Sequence, residues 1–270
     1  AEMDHAVTLV TVTNPAQPVL RSSLRNGTGV WTNLAGARSV AFSSGGVLAV
    51  AAGQGHAVTL ITPIDPNAPF RTAVFRDGEA GFDHLAGAAD VAWSGNLLAI
   101  AAAGDHAVTL VTVSIVSPPQ IQAVLRDGVG GFEDLRGATA VAFSGNLLAI
   151  AAEAENAVSL VDVTNPASPV LRAVLRSSLN GMPEMRGPCD LAFSGSWLAV
   201  ASRWSDRILL VDVNDPSQPE CRGMASDGAG GAAFLRAARG VTFAGANLPG
   251  PASGDSGLAC FAFAARTAGV

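Results

Sequence analysis

The chain has 270 residues, a formal net charge of -6 and only 14% charged residues, against about 25% in an average soluble domain. All sixteen basic residues are Arg, and Lys and Tyr are absent. A thin, mildly acidic charge spread offers no basic stripe for nucleic acid, and the lack of Lys excludes a P-loop lysine and Schiff-base chemistry.

In chain order, the first readable element is the string HAVTL at His5, and it returns at His56 and His106, then as NAVSL at Asn156 and DRILL at Asp206. The steps are 51, 50, 50 and 50 residues. A fixed period in this range marks a repeat architecture. The N-terminal segment 6–25 holds two strand-like runs, and residues 38–75 and 88–126 form two further units. The third copy is the clearest, with Ala107–Val113 and Ile121–Arg126 as strands separated by Ser117-Pro118-Pro119. A Gly-rich turn, Asp127–Gly131, follows, then Phe132–Gly137 as a short helical turn or ordered loop. Thr139–Phe143 and Leu147–Ala152 form a hairpin about Ser144-Gly145-Asn146. Alternation, β-branched residues and Gly/Asn/Pro punctuation support each assignment. Units 138–176 and 189–224 repeat the pattern, and 239–264 supplies a last hairpin interrupted by Asn247–Gly257.

Four short strands per unit, repeated, are the signature of a β-propeller. The expected fold is therefore all-β: a single domain over 1–270, a five-bladed β-propeller of four-stranded antiparallel blades. The blades are 38–75, 88–126, 138–176, 189–224, and 239–264 together with 6–25. The N-terminal outer strands pair with the C-terminal inner strands to close the ring, which removes exposed sheet edges. An array of six to eight blades from which these units were cut has the same phase at its ends. Ala-, Gly- and Ser-rich runs such as TAVAF belong innermost, where sheets converge, and IQAVLR belongs at the rim.

Ser159-Leu160-Val161-Asp162-Val163-Thr164-Asn165-Pro166 and Leu210-Val211-Asp212-Val213-Asn214-Asp215-Pro216 resemble the motif of the LVIVD-repeat β-propeller family. Copies one, four and five match well. Copy two, with Pro63-Ile64-Asp65-Pro66, and copy three, with Val113-Ser114-Ile115-Val116, are degraded but keep their spacing. The resemblance implies the fold and leaves function open, because the motif is structural. The family's repeat is shorter, and the excess here lies in segments like Asp127–Gly137, one per unit.

These long loops carry Trp31, Phe82, Phe132, Met182 and Ala232 at equivalent positions, with Leu34, Leu85, Leu135, Met185 and Leu235 as expected anchors. His5, His56 and His106 invite a metal reading, but equivalent places on neighbouring blades lie too far apart for ligands at ~2.0–2.1 Å from one zinc. Duplication explains them, and no metal or cofactor is expected. Better candidates break the repeat. Asp90 and Asp190 begin inner strands where copy three has Ala140; such a carboxylate can bind a cation or a sugar hydroxyl, or accept backbone hydrogen bonds. Arg203, Trp204 and Arg207 cluster in one turn, a composition typical of interface anchors. No G-x-S-x-G, H-E-x-x-H or EF-hand loop is present.

The leading expectation is a non-enzymatic binding or scaffold propeller that meets a protein partner through its long-loop face, using Trp31, Arg203, Trp204 and Arg207. A carbohydrate-binding or glycoside-hydrolase-like propeller using Asp90 and Asp190 at the axial mouth is the alternative, and a structural subunit of a larger assembly is a third. No nucleic-acid partner is expected. Nor is a membrane span, since runs such as Leu97–Ala103 fall far short of the ~20 apolar residues one needs. The opening at Ala1 suggests a processed mature chain or a piece of a longer one. Asn26-Gly27-Thr28 is a glycosylation acceptor, and the expected location is extracellular or cell-surface, with an organelle lumen as the other option. Cys189, Cys221 and Cys260 lack C-x-x-C spacing and allow at most one disulfide.

Overall fold

The computed structural model describes residues 3–114, 116–179, 181–228, 235, 237–244 and 259–264, with Ala244 and the last of these segments as backbone. The expected insertion Asn247–Gly257, the loop residue Ala232 and the Cys260 side chain lie outside the described residues. Among those described there is no helix, so Phe132–Gly137 is an ordered loop. It follows that no helix there is long and apolar enough to cross a membrane. The chain divides into two compact units, Ala1–Thr139 with Pro166–Ser168, and Ala140–Asn165 with Pro169–Val270.

The first unit holds a two-stranded sheet, β1 (Ala6–Thr11) with β2 (Val19–Arg25), and two four-stranded sheets. One runs β3 (Ala37–Phe42), β4 (Leu48–Ala52), β5 (Ala57–Thr62), β6 (Phe70–Arg76). The other runs β7 (Ala88–Ser94), β8 (Leu97–Ala102), β9 (Ala107–Thr112), β10 (Gln120–Arg126). The second unit contains all but the first two residues of β11 (Ala138–Ser144), then β12 (Leu147–Ala152), β13 (Ala157–Asp162) and β14 (Val170–Arg176) in one sheet. It also contains β15 (Pro188–Ser194), β16 (Trp197–Ser202), β17 (Arg207–Asp212) and β18 (Glu220–Ser226), and the pair β19 (Ala238–Ala244) and β20 (Ala259–Ala264). Strands in each four-stranded sheet are adjacent in sequence order, and the paired strands are antiparallel. That is the up-and-down blade of a propeller-like fold.

Local chemistry explains the hairpins. Ser94 pairs with Leu97 and Ser194 with Trp197, which leaves two-residue turns that begin at Gly95 and Gly195. Both glycines have positive φ, 60° and 59°, as a turn with Gly at its first central position requires.

The second strand of each blade is buried on both faces, so LLAIAA reads as a continuous apolar run rather than an alternating one. Its two faces differ in size. In the first unit Ala49 and Ala51 of β4 share a core with Leu98 and Ile100 of β8. In the second, Ala149 and Ala151 of β12 share one with Leu198 and Val200 of β16. Large side chains of one blade thus meet alanines of its neighbour. This fills the interface at interior density without overlap and lets the inner strands come together.

The motif aspartate has a structural task. Asp162 Oδ1 accepts the Thr164 N–H at 2.8 Å and its Oδ2 accepts from Arg172 Nη2 at 2.5 Å. The Arg172 hydrogen bond, then the bonds from Thr164, hold its carboxyl down at about 2. Asp212 repeats the turn bond to the Asn214 N–H at 3.0 Å. In other copies the same cross-strand pair is Arg21 with Thr11, 2.8 Å, and Thr62 with Thr72, 2.6 Å. In these copies the position of the motif aspartate supplies a polar tie to the strand paired with it.

Candidate functional site

The long loops are latched to the blades. His5, His56, His106, Asn156 and Asp206 adopt positive φ between 46° and 55°, a region that His, Asn and Asp enter more readily than most residues. In this position each offers a side-chain acceptor to the backbone N–H at the far end of a long loop. His5 Nδ1 accepts from Gly36 at 2.8 Å, His56 from Gly87 at 2.8 Å and His106 from Gly137 at 3.0 Å. Asn156 Oδ1 does so for Gly187 at 2.8 Å and Asp206 Oδ1 for Ala237 at 2.7 Å. The three histidines are therefore backbone acceptors, equivalent in role to the Asn and Asp that replace them. Among the described residues no group of His, Cys, Asp or Glu is placed to hold a metal ion.

A second latch lies inside each loop. Asn26, Asp77, Asp127, Ser177 and Asp227 accept from the N–H groups of Leu34, Leu85, Leu135, Met185 and Leu235, at 2.8–3.0 Å. Leu34, Leu85, Leu135 and Met185 are fully buried. Phe82, Phe132 and Met182 are buried as well, and Trp31 is half-buried against the core that holds Val7, Leu24 and Leu34. Trp31 thus covers its blade. Asn26 of the glycosylation acceptor spends its side-chain oxygen on the latch.

Asp90 and Asp190 both follow a bulge in their inner strands, where the register slips after Ala88 and Pro188. Bulges re-aim side chains, and here each carboxylate is aimed at a neighbouring inner strand. Asp90 Oδ1 accepts from Ser39 Oγ of β3 at 2.5 Å, and Asp190 Oδ2 accepts the Val241 N–H of β19 at 2.7 Å. Beside Asp190, the Cys189 thiol lies 3.3 Å from the Ala238 carbonyl oxygen. Burial, then the Asp190 charge, push it up to about 11, so this thiol stays protonated and unreactive.

The cluster read from one turn reaches beyond it. Arg203 pairs with Glu153 of the preceding blade, both largely shielded, and its guanidinium sits 5.4 Å from the centre of the Trp204 ring. Arg207 binds the Glu184 carbonyl oxygen and carboxylate, each at 3.2 Å. Trp204 lies across the Gly187 backbone: a Cβ there would stand 2.8 Å from Trp204 Cδ2, and Gly187 has φ +62°. Yet Trp204 stays 53% exposed. Arg203, Trp204 and Arg207 are thus brought together with Glu153 and Glu184, which sequence reading did not single out as their partners. The period alone could have flagged Glu153, which stands 50 residues before Arg203.

Stacked four-stranded antiparallel sheets with latched loops define a propeller-like all-β protein. Within that class, the segments 136–174 and 186–225 match the LVIVD repeat, so the chain carries LVIVD repeats. No curated protein matches it. Among solved structures it resembles a functionally unknown protein from Desulfotomaculum acetoxidans, with TM-score 0.64, 11% identity, and 84% of this chain covered against 65% of that one. It also resembles the periplasmic gluconolactonase of Pseudomonas aeruginosa, with TM-score 0.60, 14% identity, and 82% and 62% covered. A third is Sqt1 from Chaetomium thermophilum, with TM-score 0.63, 19% identity, and 89% and 57% covered. The chain therefore spans less than two thirds of the length of these three, and at such identities the likeness concerns the fold.

Proposed function

We propose that the chain is a non-enzymatic binding module that engages a protein partner at the long-loop end of its second unit, centred on Trp204. The observation that carries this reading is an exposed Trp held rigid from beneath, where the equivalent residues are Gln54, Gly104 and Ala154. Glycine at position 187 seats the ring, Arg203 flanks it, and the Glu153 and Glu184 carboxylates hold the two arginines in place. A preorganised aromatic anchor with neighbouring Arg is the composition of an interface hot spot, and rigidity limits the entropy lost on binding. The module is placed outside the cell or at its surface.

The test is affinity capture from the extracellular fraction of the source, quantified for the wild-type chain, Trp204→Ala and Trp31→Ala. Trp204→Ala should leave the melting temperature nearly unchanged and weaken the captured partner by about thirtyfold, the size of a ~2 kcal/mol hot spot. Trp31→Ala should instead lower the melting temperature. A captured set indifferent to Trp204 overturns the reading, and recovery of the protein from cytosol alone overturns the placement.

The blade count belongs to the same proposal and rests on repeat phase. β1 and β2 correspond to the two outer strands of a unit, and β19 and β20 to the two inner ones, so together they make up a fifth blade. Transferring the β12–β13 register, in which Ile150 faces Ser159, sets Ala262 opposite Thr8. A Thr8→Cys, Ala262→Cys pair should then cross-link within one chain under mild oxidant. Absence of that cross-link in the folded protein excludes this closure.

A further inference from the structure

Of the four steps between the HAVTL-type strings the first is one residue longer than the other three, and the structure locates the extra residue. The interval from Phe42 to His56 is one longer than those from Trp93 to His106, Phe143 to Asn156 and Phe193 to Asp206. The extra residue lies in the turn Ser43–Gly46, where the other copies have the two-residue turns of Gly95, Gly145 and Gly195. In the second unit the corresponding turns are clasped together, with Ser144 Oγ donating to the Gly195 carbonyl oxygen of the next blade at 2.8 Å. In the first unit Ser43, which corresponds to Ser144, turns its Oγ inward to accept the Val47 N–H at 3.0 Å.

A groove of about 400 Å³ lies at this junction, between the β3–β6 and β7–β10 sheets. That is the lower part of the range for small-ligand sites. Ser43, Ser44, Trp93, Asn96 and Ser114 are among the residues that line it. Two further departures from the repeat meet there. Trp93 stands where other copies have Phe42, Phe143 and Phe193, and Ser114 belongs to the rim turn that lacks the Asn/Asp-Pro of its counterparts. The indole is held in place, because Trp93 Nε1 donates to the Ala41 carbonyl oxygen across the two sheets at 3.1 Å.

We propose that this groove is a binding site for a neutral sugar ring of monosaccharide to disaccharide size. An immobilised indole offers an apolar surface to the C–H face of a pyranose. The Ser44 and Ser114 hydroxyls and the Asn96 amide can both donate and accept, as a ring of hydroxyl groups requires. Among the described residues no charged side chain lines the groove, which disfavours sugar acids, amines and phosphates, since their charge would lose hydration without a partner. The site is distinct from the Trp204 patch, and neither depends on the other.

The experiment titrates the full chain with the methyl glycosides of glucose, galactose, mannose and N-acetylglucosamine, followed by saturation-transfer NMR. Glucuronate and glucosamine serve as charged probes. At least one neutral glycoside should saturate. Its affinity should fall at least tenfold in Trp93→Phe, and again on deletion of Ser44, which restores the turn length of the other copies. Trp204→Ala should bind as the wild type does. Because Phe and the shorter turn are what the other blades already carry, both variants are expected to fold, and circular dichroism checks this. Absence of saturation by every neutral glycoside overturns the proposal. So does equal binding of the charged probes, or unaltered binding in folded Trp93→Phe and deletion variants.

Discussion

Leu85→Ala is expected to lower the free energy of unfolding by about 3–5 kcal/mol, the range for a fully buried leucine that leaves a cavity. Leu85 has no exposed surface and shares a core with Leu60, Phe75, Phe82, Leu98 and Ile100. It is also the seat of its loop: its N–H is taken by Asp77 Oδ1 at 2.9 Å and its carbonyl oxygen by the Ala88 N–H at 3.1 Å. Truncation removes dispersion contacts on the whole lining of the site, and the two hydrogen bonds keep the backbone from closing in. Val129→Ala on a neighbouring loop, where Val129 is 50% exposed, should fall within ±0.5 kcal/mol. Urea titration of the two variants makes the comparison. A loss below about 1 kcal/mol at Leu85 would mean that the loops are not anchored by their leucines.

His106 should show a sharp dependence on chemistry rather than size. Its Nδ1 accepts the Gly137 N–H, its carbonyl oxygen accepts the Asp127 N–H at 3.0 Å, and its φ is 54°. His106→Asn keeps an acceptor and a residue at ease in this conformation, as Asn156 does in the next copy, and should change stability by less than about 0.5 kcal/mol. His106→Ala leaves the Gly137 N–H without its partner and removes the polar side chain that makes His and Asn at ease in the left-handed region. The loss should be about 1–3 kcal/mol. Thermal unfolding of the pair decides it: equal losses for Asn and Ala would show that the ring packs rather than accepts.

Much of the fold was legible because its determinants are local. The expected strand Leu147–Ala152 coincides with β12, and the expected Ala107–Val113 and Ile121–Arg126 differ from β9 and β10 by one residue at one end. Alternation, β-branched residues and a Gly-led turn act over a few positions, and the period repeated the message. Leu34, Leu85, Leu135 and Met185 could be read as anchors for the same reason: one apolar residue returns at a constant place in an otherwise polar loop.

The candidate site was legible only in part. Trp204 and its two arginines stood out as departures from the repeat, but their carboxylate partners did not. Trp31 has the residue type of a binding anchor, and its ring packs half-buried against the core of Val7, Leu24 and Leu34. Asp90 and Asp190 each bind across to a neighbouring inner strand, Asp90 taking the Ser39 hydroxyl and Asp190 the Val241 N–H. Pattern within a unit is blind to what the next unit presents.

The sequence by itself determined the blade: four strands, their order, their turns and the apolar faces, all set by interactions within about fifty residues. Only the tertiary structure decided what each polar departure touches. The bonds Asp90–Ser39, Asp190–Val241 and Ser144–Gly195 each span 51 residues, so they exist only once two sheets are packed. The histidine latches span 31 residues and turn a tempting ligand set into backbone acceptors for the same reason. A hydrogen bond depends on a partner within about 3 Å, and that partner is supplied by packing, not by the neighbouring letters of the chain.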